Sequence, residues 1–370
     1  MHNRTIFKQP FTWVFSIFTL VFIILIIFTL VNDKFYSIPI AKVTDVEQVA
    51  CKQVTDEHHN RDTKHTQKLT LKMLNGQFEG QTTTINNTYS ASQADSEKYS
   101  KNNKLLLHVG ESLKRPYVLE KKRDTLVVTM TGIFLLTILW VGKRIGLYSI
   151  LSLILTTLAV LSAIAIHNIK PEINLFAMMA LAVIIATVST LVLVLGWNTR
   201  TWVTIGGTLL GTFLCVGIMY IVIQTNDGNG LKFETMGFLT LPPKEIFLAS
   251  VMIGTLGAVM DVAITISSGM AEILRRNPTI TLSRWALAGR RIGQDIMGTM
   301  TNILLFSYLS GALPMFLIYL KNANTITYSI SMNWSLEISR AITGGIGIVL
   351  TIPITILLMQ LWWRMGGAKR

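Results

Sequence analysis

The chain has 370 residues, 51% of them hydrophobic and 14% charged, where ordinary soluble domains carry about 25% charged residues. That balance makes the protein mostly membrane. The formal charge of +13 raises nucleic acid as a partner, but its distribution, given below, fits membrane topology and argues for no nucleic acid. The two cysteines, Cys51 in a polar segment and Cys215 in an apolar one, form no disulfide framework and no CxxC metal spacing, and no cofactor is expected.

In chain order, apolar runs long enough for a hydrocarbon core of about 30 Å fall at 11–31, 125–141, 147–166, 173–196, 202–224, 246–271, 294–319 and 339–361. The first reads as an anchor, because its apolar run exceeds a signal-peptide h-region and no A-x-A site follows. Between the first two spans, 32–123 forms a polar insert. KVTDVEQV, QKLTLKML, GQTTTINN and KLLLHVG alternate apolar with polar residues or favour β-branched ones. Asn75-Gly76 and Glu79-Gly80 supply turn signals. A small β-barrel or β-sandwich is expected there, with 86–103 as a mobile loop. Cys51, His58, His59 and His65 in this insert read as solvated loop residues more readily than as a metal site.

The fold class is thus an all-α polytopic membrane protein of about eight helices, with a small extracellular β-rich domain between helices 1 and 2. The expected domains are 1–31 (cytoplasmic N-terminus and anchor), 32–123 (β-rich) and 124–370 (seven helices). Orientation follows from basic residues in the short loops. Arg4, Lys8, Lys143, Arg144, Arg200, Arg275, Arg276, Arg284, Arg290, Arg291, Arg364, Lys369 and Arg370 fall on one side, and Lys170, Lys232, Lys244 and Lys321 on the other. Both termini are therefore expected in the cytoplasm. Trp13, Trp140, Trp197, Trp202, Trp362 and Trp363 lie at the same basic ends, as an aromatic belt should.

The sixth span carries the most informative pattern. Gly254, Gly257, Asp261, Thr265, Ser268 and Glu272 are three or four residues apart and share one helical face. A carboxylate near the middle of a spanning helix costs at least ~2.5 kcal/mol on insertion scales. In the seventh span Asp295, Gly298 and Asn302 again share a face. At ~1.5 Å per residue, Asp261 and Asn302 lie at about the same depth, and Asp295 lies near Ser268. The expectation is a polar seam or cavity between spans six and seven, with Asp261 facing it. The bland alternative is a buried Asp that only fixes helix packing. Glu272 and Asp295 lie near arginines and read as interfacial ion pairs. Gly207, Gly211 and Cys215, like Ala341, Gly344, Gly345 and Gly347, read as close-packing faces. Glu337 and Arg340 are expected to pair at i,i+3. The loop RRNPTITLSRWALAGRRIG looks like a short interfacial amphipathic helix.

At LGAVMDVAITISSGMAEI (256–273) and GRRIGQDIMGTMTNILLFSYLSGALP (289–314) the chain resembles the YibE/YibF-like family of bacterial multi-span membrane proteins. The resemblance implies a bacterial cell-membrane protein with permease activity, no assigned substrate and no catalytic residues to carry over. It also implies a second, YibF-like subunit as partner, with a homo-oligomer as the other arrangement. The leading expectation is a non-enzymatic transporter or transporter subunit for an unknown small solute or ion. The alternative is a scaffold or receptor whose outer domain binds a peptide or envelope component. An intramembrane aspartyl protease is disfavoured, because Asp261 and Asp295 fall more than ~10 Å apart along the normal.

Overall fold

The computed structural model describes residues 9–93, 96–110, 112–113, 116–237 and 242–364. Arg4, Lys8, Lys369 and Arg370 of the topology argument lie outside them. Among the described residues seven helices are long and apolar enough to cross a membrane: α1 (Gln9–Val31), α2 (Asp124–Ile169), α3 (Leu175–Leu195), α4 (Thr199–Thr225), α5 (Pro243–Arg276), α6 (Leu282–Lys321) and α7 (Ile326–Arg364). At 46 residues, α2 would extend about 69 Å, more than twice a bilayer core. It is broken at Lys143, whose φ of 49° and ψ of −123° are not helical. The stretches expected at 125–141 and 147–166 lie on either side of that break.

The chain divides into two compact units, Met1–Leu147 and Tyr148–Arg370. The first holds one antiparallel sheet of β1 (Ile40–Thr55), β2 (Arg61–Met73), β3 (Thr82–Ser90), β4 (Lys104–His108) and β5 (Tyr117–Lys121), in the order β3-β2-β1-β4-β5. Alternation decides its inner face: Leu69, Leu71 and Met73 of β2 point inward with Ala41, Val43, Leu105 and Leu107. Among the described residues the strands form a single sheet in place of the expected sandwich, and in place of a closed barrel β3 and β5 remain edges. Its two edge strands, β3 and β5, line one cleft of about 690 Å³. The expected loop 86–103 also begins as strand. Residues 86–90 pair with 64–68 of β2, and Asn87 Nδ2 donates to the Glu97 carbonyl, so the chain folds back on itself. Tyr99 of the same stretch is buried.

Asn75 does more than mark a turn. Its Oδ1 accepts from the Ile40 amide at 2.5 Å, and its Nδ2 donates to the carbonyls of Asp33, Tyr36 and Ile38 at 2.9–3.1 Å. It thereby ties the segment after α1 to the end of the sheet. Along the β1–β2 hairpin, His65 Nδ1 accepts from Gln48 Nε2 at 2.8 Å and the ring stacks on Tyr89, while Cys51 is exposed.

Two aspartates fix the hairpin and the chain beside it. Asp56 accepts from the Asn60 side chain and from the amides of Asn60 and His58. Asp62 accepts from the Ser92 hydroxyl at 2.6 Å and from the Thr63 amide. These bonds, led by Asn60 and Ser92 respectively, hold both carboxyls below the ordinary carboxylate range. A lowered folded-state value means that the bonds add stability above the unfolded pKa and lose it as pH falls through the folded value. Amide protection factors at His58, Asn60 and Thr63, taken against the intrinsic exchange rate at each pH, should therefore hold near neutrality and fall below about pH 4. Asp56→Asn should flatten that dependence at His58 and Asn60 and leave it unchanged at Thr63.

In the second unit, α5 is the central element and packs on α3, α4, α6 and α7. One apolar cluster joins α3, α4 and the first half of α5, and another joins the second half of α5 to α6 and α7. The close-packing faces are as expected: Gly207 and Gly211 of α4 abut Thr355 and Thr351 of α7, and Cys215 abuts Gly347. The expected interfacial helix is a correction. Residues from Leu282 onward continue directly into α6, and Trp285 is buried, its Nε1 donating to the Met270 carbonyl at 2.8 Å. An indole N–H that finds a carbonyl inside the fold has no need of the headgroup layer.

Candidate functional site

Helix α5 opens with Pro243 in its first turn and closes with Arg275 and Arg276 in its last, where cations oppose the helix dipole. Within it Gly254, Gly257, Asp261 and Thr265 are exposed, and Ser268 and Glu272 partly so. On α6, Asp295, Gly298 and Asn302 are exposed as well. The register of the two antiparallel helices follows from two contacts, Tyr308 against Gly254 and Ile292 against Gly269. Advancing along one while receding along the other puts Asp261 within a helical turn of the level of Asn302, and Asp295 near Ser268.

The side chains that make the α5–α6 contact are largely apolar. Ile292, Ile296 and Met300 of α6 pack with Val262, Ile266 and Met270 of α5. Gly293 and Thr301 of α6 face α7 instead, against Ile352 and Gly345, while Gly289 lies between Met270 of α5 and Ile356 of α7. At 3.6 residues per turn, Asp295, Gly298 and Asn302 fall on the other side of Ile292 from that face. Thr255 and Val259 mark the side of α5 that meets α7, and the Asp261 row lies away from it. The two polar rows thus flank one seam, open on the side away from α7. No hydrogen bond or ion pair engages the side chains of Asp261, Asp295 or Asn302 among the described residues. The Thr265 hydroxyl donates to the Asp261 carbonyl at 2.8 Å.

The two acids assigned to the interface differ. Glu272 is bound by Arg275 at 2.9 Å and Arg276 at 2.7 Å, as expected. Asp295 has no such pair among the described residues. At the other end of the bundle, Arg340 pairs with Glu337 at 2.6 Å and lies over the Phe247 ring. Its Nε donates to Ser250 Oγ at 3.1 Å.

A set of hydroxyls inside the bundle escaped the sequence reading. Thr201, Thr204, Thr208 and Thr212 of α4, Thr255 and Ser267 of α5, and Thr351 and Thr355 of α7 are all buried. Thr204 and Ser267 bond each other at 2.8 Å, while Thr208, Thr212 and Thr355 leave their Oγ1 atoms without partners among the described residues. The signal was present. Threonines recur every three or four residues from 201 to 212 and again at 351 and 355, interleaved with the glycines that drew attention first.

The YibE/F-like protein family matches residues 130–365, and the YibE/F family N-terminal domain matches residues 34–118. No curated protein and no solved structure matches the sequence. The chain therefore belongs to the YibE/F-like family.

Proposed function

We propose that the chain is a transporter subunit of the bacterial cell membrane, moving a small solute or ion along the polar seam of α5 and α6. Both termini are then cytoplasmic and the sheet lies outside. The observation that carries this reading is the exposed carboxylate of Asp261, far from either end of a helix long enough to span. Ionisable groups at such depth are costly and mark ion paths, relays or substrate contacts by default. Asn302, at the same level, and Thr265, one turn away, add polar groups to the same seam. The charge asymmetry of the loops supports the orientation.

A purified sample titrated with ions, protons and small metabolites tests the reading through thermal unfolding. A ligand present at a hundred times its Kd should stabilise the wild type by about 2.7 kcal/mol. Asp261→Asn should abolish that shift while unfolding cooperatively. A ligand-induced shift of equal size in both proteins would remove Asp261 from the site.

The edge-strand cleft favours a second reading, a receptor whose sheet binds an extended peptide by adding it to β3 or β5. An extended peptide bound there should slow amide exchange along β3 or β5 and leave conduction through the helices intact. Proteolysis by an aspartate dyad has less support. The register separates Asp261 from Asp295 by about 8 Å along the helices, closer than the sequence estimate but beyond proton sharing.

A further inference from the structure

We propose that the exposed α5–α6 face is the docking surface for a second copy of this chain, with Asp261 of each copy bonded to Asn302 of the other across a twofold axis. The proposal needs the helices to cross a membrane, but it does not need the seam to transport anything.

Three observations carry it. First, α6 is poorly covered for its length: only Trp285, Gly289, Gly293 and Leu304 of its 40 residues are buried. Its outer side shows Ile303 and Phe306 exposed beside Asn302. Secondly, the exposed side chains at that level are not all ones that hydrocarbon tolerates. Asp261, Thr265, Asp295 and Asn302 occupy two rows on the same flank, and leaving a carboxylate against acyl chains is expensive. Among the described residues Asp261 has no side-chain partner, so a partner outside them offsets that cost.

Thirdly, the rows fit a copy of themselves. Two copies inserted with the same topology can be related by a twofold axis along the membrane normal, and such an axis preserves depth. A residue therefore meets only partners at its own level. Asp261 and Asn302 share a level by the α5–α6 register, so the rotation brings an acceptor of one copy to a donor of the other, twice. The small residues allow close approach. A Cβ added at Gly257 or at Gly298 would meet nothing within 4 Å, so both positions are open in the single chain, as residues at a close helix contact are.

Those open positions are also the probes. Gly257→Cys co-expressed with Phe306→Cys, and Gly298→Cys co-expressed with Thr265→Cys, all with Cys51→Ser, would be oxidised in native vesicles and run on a denaturing gel, because the α5–α6 register places each pair at one level across the twofold axis. A disulfide-linked band at twice the mass of the chain is expected for each mixture. Leu214→Cys, exposed on α4, should stay monomeric. Single-molecule photobleaching of the labelled wild type at high lipid dilution should show two steps. Asp261→Leu should weaken association about five- to thirty-fold, the range for one or two interhelical hydrogen bonds. One-step bleaching of the wild type would overturn the proposal. So would mixtures of both cysteine pairs that stay monomeric, or a cross-linked band at a mass other than twice the chain, which would assign the face to a different subunit. Loss of ligand binding in Asp261→Asn with dimers intact would separate the seam's transport role from its assembly role.

Discussion

Asn75→Ala should be the most damaging single change in the strand-rich unit. The side chain is 4% exposed and serves four backbone groups, the Ile40 amide and the carbonyls of Asp33, Tyr36 and Ile38. Truncation removes all four bonds and leaves buried backbone atoms unpaired, at about 1–3 kcal/mol for each group that water cannot reach. A loss of about 3 kcal/mol or more is expected, enough to unfold a marginal domain of this size. Asn75→Asp provides the internal control. It keeps the acceptor for Ile40 but turns a carboxylate oxygen toward three carbonyls, so it should rank with or below alanine. Thermal unfolding followed by fluorescence of the exposed Cys51, labelled, would order the three proteins. Equal stability of wild type and Asn75→Ala would show that the tie is redundant.

In the helical unit the largest effect should come from Gly211→Val. The glycine faces Thr351 Oγ1 and Val259 Cγ1, the latter 3.1 Å from where a Cβ would stand. Thr351 is fully buried and its hydroxyl is bonded to the Gly347 carbonyl at 2.7 Å, so it has nowhere to go. Inserting a branched side chain should push α4 from α7 and cost about 1–3 kcal/mol. Thr351→Ala removes the obstructing atoms and should recover part of the loss, whereas the same substitution in the wild-type background should be mildly destabilising. A double-mutant cycle read by unfolding in detergent measures that coupling. Strict additivity would mean that α4 and α7 do not meet at this pair.

Which features were legible in the sequence follows from the range of the interactions behind them. The rows on α5 and α6 could be read because one helical face is fixed by local spacing, 254 to 272 and 295 to 302. The glycine faces were legible for the same reason. What such a face packs against is not local. The spacing could not say that Ile292 and Ile296 would take the α5–α6 contact and leave Asp261 and Asn302 flanking it. Asn75 looked like an ordinary turn residue because its partners lie about forty positions earlier, at 33–40. Trp285 beside arginines has the composition of a membrane-surface helix, and only its bond to Met270 places it inside. β5 was missed because YVLEK is short and has no clear alternation, and β1 extends past its patterned part because β2 pairs with it as far as Thr55.

The bond between Trp285 and Met270 also bears on the order of synthesis. The two residues are fifteen positions apart, so the turn between α5 and α6 can close as soon as Trp285 leaves the ribosome. Asn302 is made seventeen residues later still. On the proposed transporter reading, a nascent α5 enters the apolar phase with Asp261 alone, or waits at the insertion site until α6 follows. The early latch favours waiting: it holds the first helix beside the emerging second, so that the pair passes into the bilayer as one hairpin.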